Sequence, residues 1–230
     1  MSLWKIIILA MVQGLAELLP VSSSAHVVVA EKLLGLDPSS PPMTLLLVMP
    51  HTGTMFAVIV YFWQQWRSTY FQSARAFQSF AGLVIIAAAL TAVIGETIIT
   101  TIEKTAFREV PNAEIEDLFS HLEFIAPALA VAGLLIVIAG IFEKRHPTQT
   151  LSETNDLNMR KAALIGAIQG LCLPFRGFSR SGATISTGML LGVAKSRAEA
   201  FSFALAVVLT PPVVAREVMR LIRSAPVNGV

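Results

Sequence analysis

The sequence predicts an all-α polytopic membrane protein built as an inverted repeat with two re-entrant, broken helix pairs. Three observations predict it. First, 54% of the 230 residues are hydrophobic and only 14% are charged, with a mean hydropathy of +0.68. A soluble domain carries roughly 25% charged residues. Second, a serine-rich polar motif occurs twice within apolar surroundings. Third, the loop charges alternate along the chain in a way that turns the two copies in opposite directions.

Met43–Trp63, Gly82–Thr100 and Phe124–Phe142 are each close to the length that spans a bilayer, roughly 20 apolar residues. The amino-terminal stretch has the outline of a cleavable leader: Lys5, an apolar run from Ile6, then Ser23-Ser24-Ala25. Glu17 sits badly in such a leader, and a similar pattern recurs deep in the chain, so the segment is read as retained.

The first copy reads Gln13-Gly14-Leu15, then Pro20, then Ser22-Ser23-Ser24-Ala25-His26. The second reads Gln169-Gly170-Leu171, then Pro174, then Ser179-Arg180-Ser181-Gly182-Ala183-Thr184. Each is followed by a Leu-Leu-Gly step, ending at Gly35 and Gly192, and then by a longer apolar helix. Breaks of this kind are tolerated in hydrocarbon only where protein or a wet cavity satisfies the backbone. The expected half-helices are Leu3–Leu19 with Ser23–Leu34, and Met159–Leu173 with Ser181–Gly192. The chain then divides into a first repeat over about residues 1–67, connecting helices over about 78–142, and a second repeat over about 159–223, all within one membrane domain, 1–230.

Loop charge gives the orientation. Gln64–Phe77 holds Arg67 and Arg75, and Glu143–Lys161 holds Lys144, Arg145, Arg160 and Lys161. Thr101–His121 holds Lys104 and Arg108 against five acidic residues. The basic loops are expected in the cytoplasm and the acidic one outside. The first broken pair then enters from outside and the second from the cytoplasm, so their tips meet near the midplane. Arg216, Arg220 and Arg223 strain this topology, because they fall toward the outer face.

Composition also excludes. The basic residues form no stripe interleaved with aromatics, which argues against nucleic-acid binding. The single cysteine, Cys172, rules out an intrachain disulfide and a cysteine metal cluster.

The polar residues of the two motifs make an anion site. Glu17 is a carboxylate within an apolar segment, a functional candidate by default, and Gln13 shares its helix face. Pairing with a buried arginine for structure alone is the competing reading. Ser22, Ser23 and Ser24 open the second half-helix. They suit capping, but three hydroxyls at a helix N-terminus also suit a phosphate. His26, a packed structural histidine on the competing reading, is placed to manage a proton. Arg180, between Ser179 and Ser181, offers a planar fork that matches phosphate oxygens, unless it merely snorkels. Arg176 is ambiguous between the same anion and lipid headgroups. Ser23 would attack phosphorus, Arg180 would hold the phosphate, and Glu17 would bind a divalent cation or orient the nucleophile.

Gln13 to His26 resembles the first signature of the undecaprenyl-diphosphate phosphatase, or bacitracin-resistance, family. Gly177-Phe178-Ser179-Arg180-Ser181-Gly182-Ala183-Thr184 resembles the second. His51-Thr52-Gly53-Thr54 and Phe201-Ser202-Phe203-Ala204-Leu205-Ala206 are similar to two further stretches. The resemblance implies hydrolysis of undecaprenyl diphosphate to the monophosphate, dependence on magnesium or calcium, and a site reached from the extracytoplasmic side of the bacterial plasma membrane. It implies roles for Glu17, Ser23, His26, Ser179, Arg180, Ser181 and Thr184, with Ser23 the nucleophile. Ser22, Ser24 and Gln13 join them as phosphate-binding candidates.

The sequence departs from the family pattern at several points. Gln13 stands where many relatives carry glutamate, Ala25 where glycine is common, and Arg176 where proline precedes Gly177. The family is expected to continue for about two more spans beyond Val230. Two other readings stay open on sequence alone: a lipid-phosphate transporter or flippase using the same site, and an inactive shortened relative. Gly133 and Gly140 suit helix packing within the chain or in a homo-oligomer.

Overall fold

In the computed structural model the chain is all-helical among the described residues, which are 2–17, 21–38, 41–106, 122–145, 157–175 and 177–224. Pro20, Arg176, most of the acidic loop (107–121), much of the second basic loop (146–156) and the tail 225–230 lie outside them, as do the side chains of Arg220 and Arg223.

The described residues form eight helices in order: α1 Leu3–Glu17, α2 Ser23–Leu33, α3 Pro41–Thr69, α4 Ala74–Ala106, α5 Leu122–Arg145, α6 Met159–Cys172, α7 Arg180–Leu190 and α8 Lys195–Ser224. Helices α1, α2 and α3 hold 15, 11 and 29 residues; α6, α7 and α8 hold 14, 11 and 30. The Leu-Leu-Gly steps explain one detail of this correspondence. Both short helices end on a leucine cap followed by a left-handed glycine, Gly35 at φ 67° and Gly192 at φ 75°. The glycine N–H donates to the carbonyl of Lys32 at 3.0 Å and of Met189 at 2.9 Å. Only glycine adopts that backbone without a steric penalty, which is why it ends a helix so often.

Each short pair folds back on itself. The Lys5 ammonium donates to the Leu34 carbonyl at 2.7 Å, so the start of α1 lies beside the end of α2. Helices α6 and α7 also pack together. Asn158 caps α6 by accepting from the Lys161 N–H at 3.0 Å, and Pro174 follows the helix end.

Helix α4 packs most extensively on α6, and α3 on α8. The α4–α6 contact is a small-residue approach: a Cβ at Gly166 would lie 2.3 Å from the Ala87 carbonyl oxygen. Thr91 bridges the same helices, donating at 2.8 Å to the Ala87 carbonyl or at 2.9 Å to that of Gly166. Close backbones and a hydroxyl bridge hold helices together where lipid offers no hydrophobic driving force. The α3–α8 contact is tied by the Trp66 indole, which donates to the Ala200 carbonyl at 3.1 Å. Phe62, Trp66, Phe80 and Phe201 belong to the core packed around this end.

Among the described residues three helices are long and apolar enough to cross a membrane, over Ala74–Thr105, Ile125–Arg145 and Lys195–Arg216. Leu134, Val137, Ile138 and Ile141 of α5 are exposed. Apolar surface of this extent fits lipid rather than water. The fold is that of an all-α membrane protein. Met43–Trp63, read as a plain span, lies inside α3, whose polar His51 and Thr54 line a cleft.

Candidate functional site

The two serine-rich motifs meet. Glu17, the last residue of α1, and Arg180, the first of α7, are 3.7 Å apart between Oε1 and Nη2. They stand at one end of a narrow cleft between α3 and α8. Its walls are Met55 and Val58 on one side and Phe203, Ala206, Val207 and Thr210 on the other.

Glu17 Oε2 is the focus of the polar contacts. The Ser23 hydroxyl donates to it at 2.5 Å and the Gln13 amide at 2.7 Å. Gln13 sits one helical turn before Glu17, which is why its amide reaches the carboxylate. That amide also donates to Ser23 Oγ at 3.3 Å. Gln13 is fully buried and Ser23 nearly so. In such surroundings a serine hydroxyl aimed at a carboxylate has its acceptor in place before any substrate arrives.

The chain reaches Ser23 through a strained residue. Ser22 is the one described non-glycine residue with a left-handed backbone, at φ 63° and ψ 84°. It occupies the N-cap position of α2, yet its side chain makes no capping bond and instead lies 3.4 Å from the Ser24 hydroxyl. Ser179 behaves differently. It caps α7 by accepting from the Gly182 N–H at 3.1 Å and is almost wholly buried. The first-turn amides of α2 therefore have no side-chain cap, the arrangement that suits an anion.

The remaining candidates divide. His26 is exposed, and its Nδ1 hydrogen-bonds the Ser22 carbonyl at 2.8 Å. With a carbonyl partner Nδ1 carries a proton, which leaves Nε2 as the nitrogen that can exchange one. Thr184 is not brought to the cleft. It is fully buried, its hydroxyl lies 2.9 Å from the Arg180 carbonyl and 3.2 Å from that of Ser181, either of which can accept its proton, and it meets Ser202 of α8 at 2.5 Å between hydroxyls. Ser181 enters through that carbonyl. Gln13, Glu17, Ser23 and Arg180 are thus gathered, while Ser179 caps α7 and Thr184 ties it to α8.

One residue at the site carried no role in the sequence reading. His51 of α3 lines the cleft, with Nε2 3.6 Å from Glu17 Oε2. Its ring nitrogens lie 3.3 and 3.5 Å from Gln13 Nε2. The signal was available: an ionisable side chain after Pro50 inside an apolar run deserves the suspicion given to Glu17.

Known proteins are similar to this sequence. Residues 6–226 match the family described as BacA, bacitracin resistance protein. Undecaprenyl-diphosphatase 2 of Acinetobacter baylyi is 54% identical over 224 residues, covering 97% of this chain and 76% of that protein. An undecaprenyl-diphosphatase of Caldicellulosiruptor bescii is 34% identical over 204 residues, covering 88% of this chain and 70% of its own length. Another, of Polaromonas naphthalenivorans, is 33% identical over 206 residues, covering 88% and 69%. With the match running through both motifs and nearly the whole sequence, the chain belongs to the BacA bacitracin resistance protein family.

Proposed function

We propose that the chain hydrolyses undecaprenyl diphosphate to undecaprenyl phosphate and inorganic phosphate, and so returns a lipid carrier for cell-wall synthesis. The observation that carries this reading is the Ser23 hydroxyl donating at 2.5 Å to Glu17, whose other oxygen faces Arg180. A nucleophile, its base and an anion-binding cation converge from two motifs.

Ser23 Oγ attacks the terminal phosphorus, and its proton passes to Glu17. The anhydride bond to the bridging oxygen breaks and the prenyl monophosphate leaves. Water then cleaves the phosphoserine, releasing inorganic phosphate and restoring the hydroxyl. Arg180 and the uncapped amides of α2 neutralise the phosphoryl oxygens, where most of the catalytic work of phosphoryl transfer lies. His26, through Nε2, handles the proton of the attacking water.

The residues present fit a hard divalent cation, magnesium or calcium. Such ions take oxygen donors. Glu17 supplies a carboxylate, and the buried Gln13 Oε1 has no hydrogen-bond partner among the described residues. Bound there with the substrate, the ion would supply further neutralisation of the phosphates. On this reading Ser22, Ser24, Ser179 and Ser181 shape the phosphate pocket, and the re-entrant pairs bring the site within reach of the extracytoplasmic side of the bacterial plasma membrane. The exposed Gly133 and Gly140 of α5 leave room for a second copy in a homo-oligomer.

The test is phosphate release from undecaprenyl diphosphate by the purified protein in detergent with magnesium or calcium. Ser23→Ala should lower turnover by roughly 10³-fold or more. Carrier lipid crossing liposome leaflets with no phosphate released would replace hydrolysis with transport. Turnover at the wild-type level in Ser23→Ala would remove Ser23 as nucleophile.

A further inference from the structure

The Glu17–Ser23 pair is held from a third helix. From its own helix Gln13, one turn back, reaches the Glu17 carboxylate. A carboxylate can rotate, and each rotation changes which oxygen faces Ser23. Two side chains from elsewhere limit that rotation. Arg180 of α7 stands 3.7 Å from Oε1. His51 of α3 stands 3.6 Å from Oε2, the oxygen that accepts from Ser23. The two lie on opposite oxygens of one carboxylate.

His51 also reaches the other partner of that oxygen. Its ring nitrogens are 3.3 and 3.5 Å from the Gln13 amide nitrogen, which in turn touches both Glu17 and Ser23. The imidazole is 18% exposed, so it is fixed mainly by protein. Its backbone carbonyl accepts from the Thr54 hydroxyl at 3.0 Å.

We propose that His51 is a positioning residue for the proposed phosphatase reaction: it holds Glu17 Oε2 on the Ser23 hydroxyl. It acts through Glu17 and does not bind the phosphate. This rests on the hydrolytic reading above, and it concerns the chemical step, so its effect falls on kcat.

The experiment compares wild type, His51→Ala and His51→Gln, the last of which keeps an amide N–H near the position of Nε2. Outer partners that orient a reacting group are worth about 10–100-fold. His51→Ala should lower kcat by about that factor, leave KM within about twofold and leave the thermal transition in place. His51→Gln should recover most of the lost kcat. A second readout does not depend on turnover: the rate of covalent labelling of Ser23 by a phosphonofluoridate, followed by mass spectrometry. It should fall in His51→Ala and recover in His51→Gln. Wild-type kcat and labelling in His51→Ala would overturn the proposal. So would a rise in KM at constant kcat, or a glutamine variant no better than alanine. A wild type that labels at Ser23 yet releases no phosphate would sink the hydrolytic reading alone, and the labelling arm would still decide the role of His51.

Discussion

Arg180 Nη2 lies 3.7 Å from Glu17 Oε1, although 163 positions separate the two residues in the chain. That contact joins the carboxylate of one serine-rich motif to the cation of the other. Arg180→Ala removes both the proposed phosphate-binding group and the partner of Glu17, and kcat/KM should fall by about 10²–10³-fold. Arg180→Lys keeps the charge but loses the planar fork, and should recover only part of that loss. Steady-state phosphate release measures both, and a lysine variant equal to wild type would show that charge alone suffices.

Thr184 separates bracing from binding. Its hydroxyl is spent on Ser202 and on carbonyls of its own helix. Thr184→Val leaves the Ser202 hydroxyl without this buried partner, and should destabilise the protein by about 1–3 kcal/mol. KM should stay close to wild type, as read by thermal unfolding and kinetics side by side. A large rise in KM with unchanged stability would return Thr184 to the phosphate pocket.

Ser22 carries strain at the entrance to α2. A left-handed backbone costs a non-glycine residue about 1–2 kcal/mol, and Ser22 makes no capping bond to offset it. Ser22→Gly should therefore raise the unfolding temperature. If the strain serves to aim Ser23, the same variant should lose activity as it gains stability. A lower unfolding temperature would show that the lost Ser22–Ser24 contact outweighs the strain.

The α4–α6 approach is equally specific. A Gly166→Leu side chain would begin 2.3 Å from the Ala87 carbonyl, so the helices must part. Overpacking of this kind costs about 1–3 kcal/mol or more. A variant with the wild-type thermal transition in detergent would mean that α4 and α6 are not in this contact in solution.

How much of this was legible follows from the residues themselves. The short helices were readable because their ends are marked by serine clusters, prolines and the Leu-Leu-Gly steps, which act locally. Expected ends at Leu19, Leu34, Leu173 and Gly192 fall within two residues of those observed. Gln13, Glu17, Ser23 and Arg180 were readable because charged and hydroxylic residues stand out in an apolar chain. His51 is less legible, because Met43–Trp63 reads as a plain span and the proximity of His51 to Glu17 depends on how α3 crosses α1. Thr184 is equally hard to place from sequence: a hydroxyl on a short helix looks alike whether it faces a cleft or Ser202. Side-chain direction across helices is a tertiary property, and motif spacing does not encode it.

The Lys5–Leu34 contact fixes the mouth of the first hairpin, and Glu17 lies twelve residues further along α1. At a helical rise of 1.5 Å per residue, that is a depth of about 18 Å. The hydrocarbon layer is about 30 Å thick. A diphosphate bound beside Glu17 at that depth would shed much of its hydration. Dehydrated phosphate oxygens feel Arg180 far more strongly than they would in water. Depth thus becomes a filter: a soluble diphosphate lacks the tail that compensates for leaving water, and it should be a poor substrate even though its reacting atoms are the same.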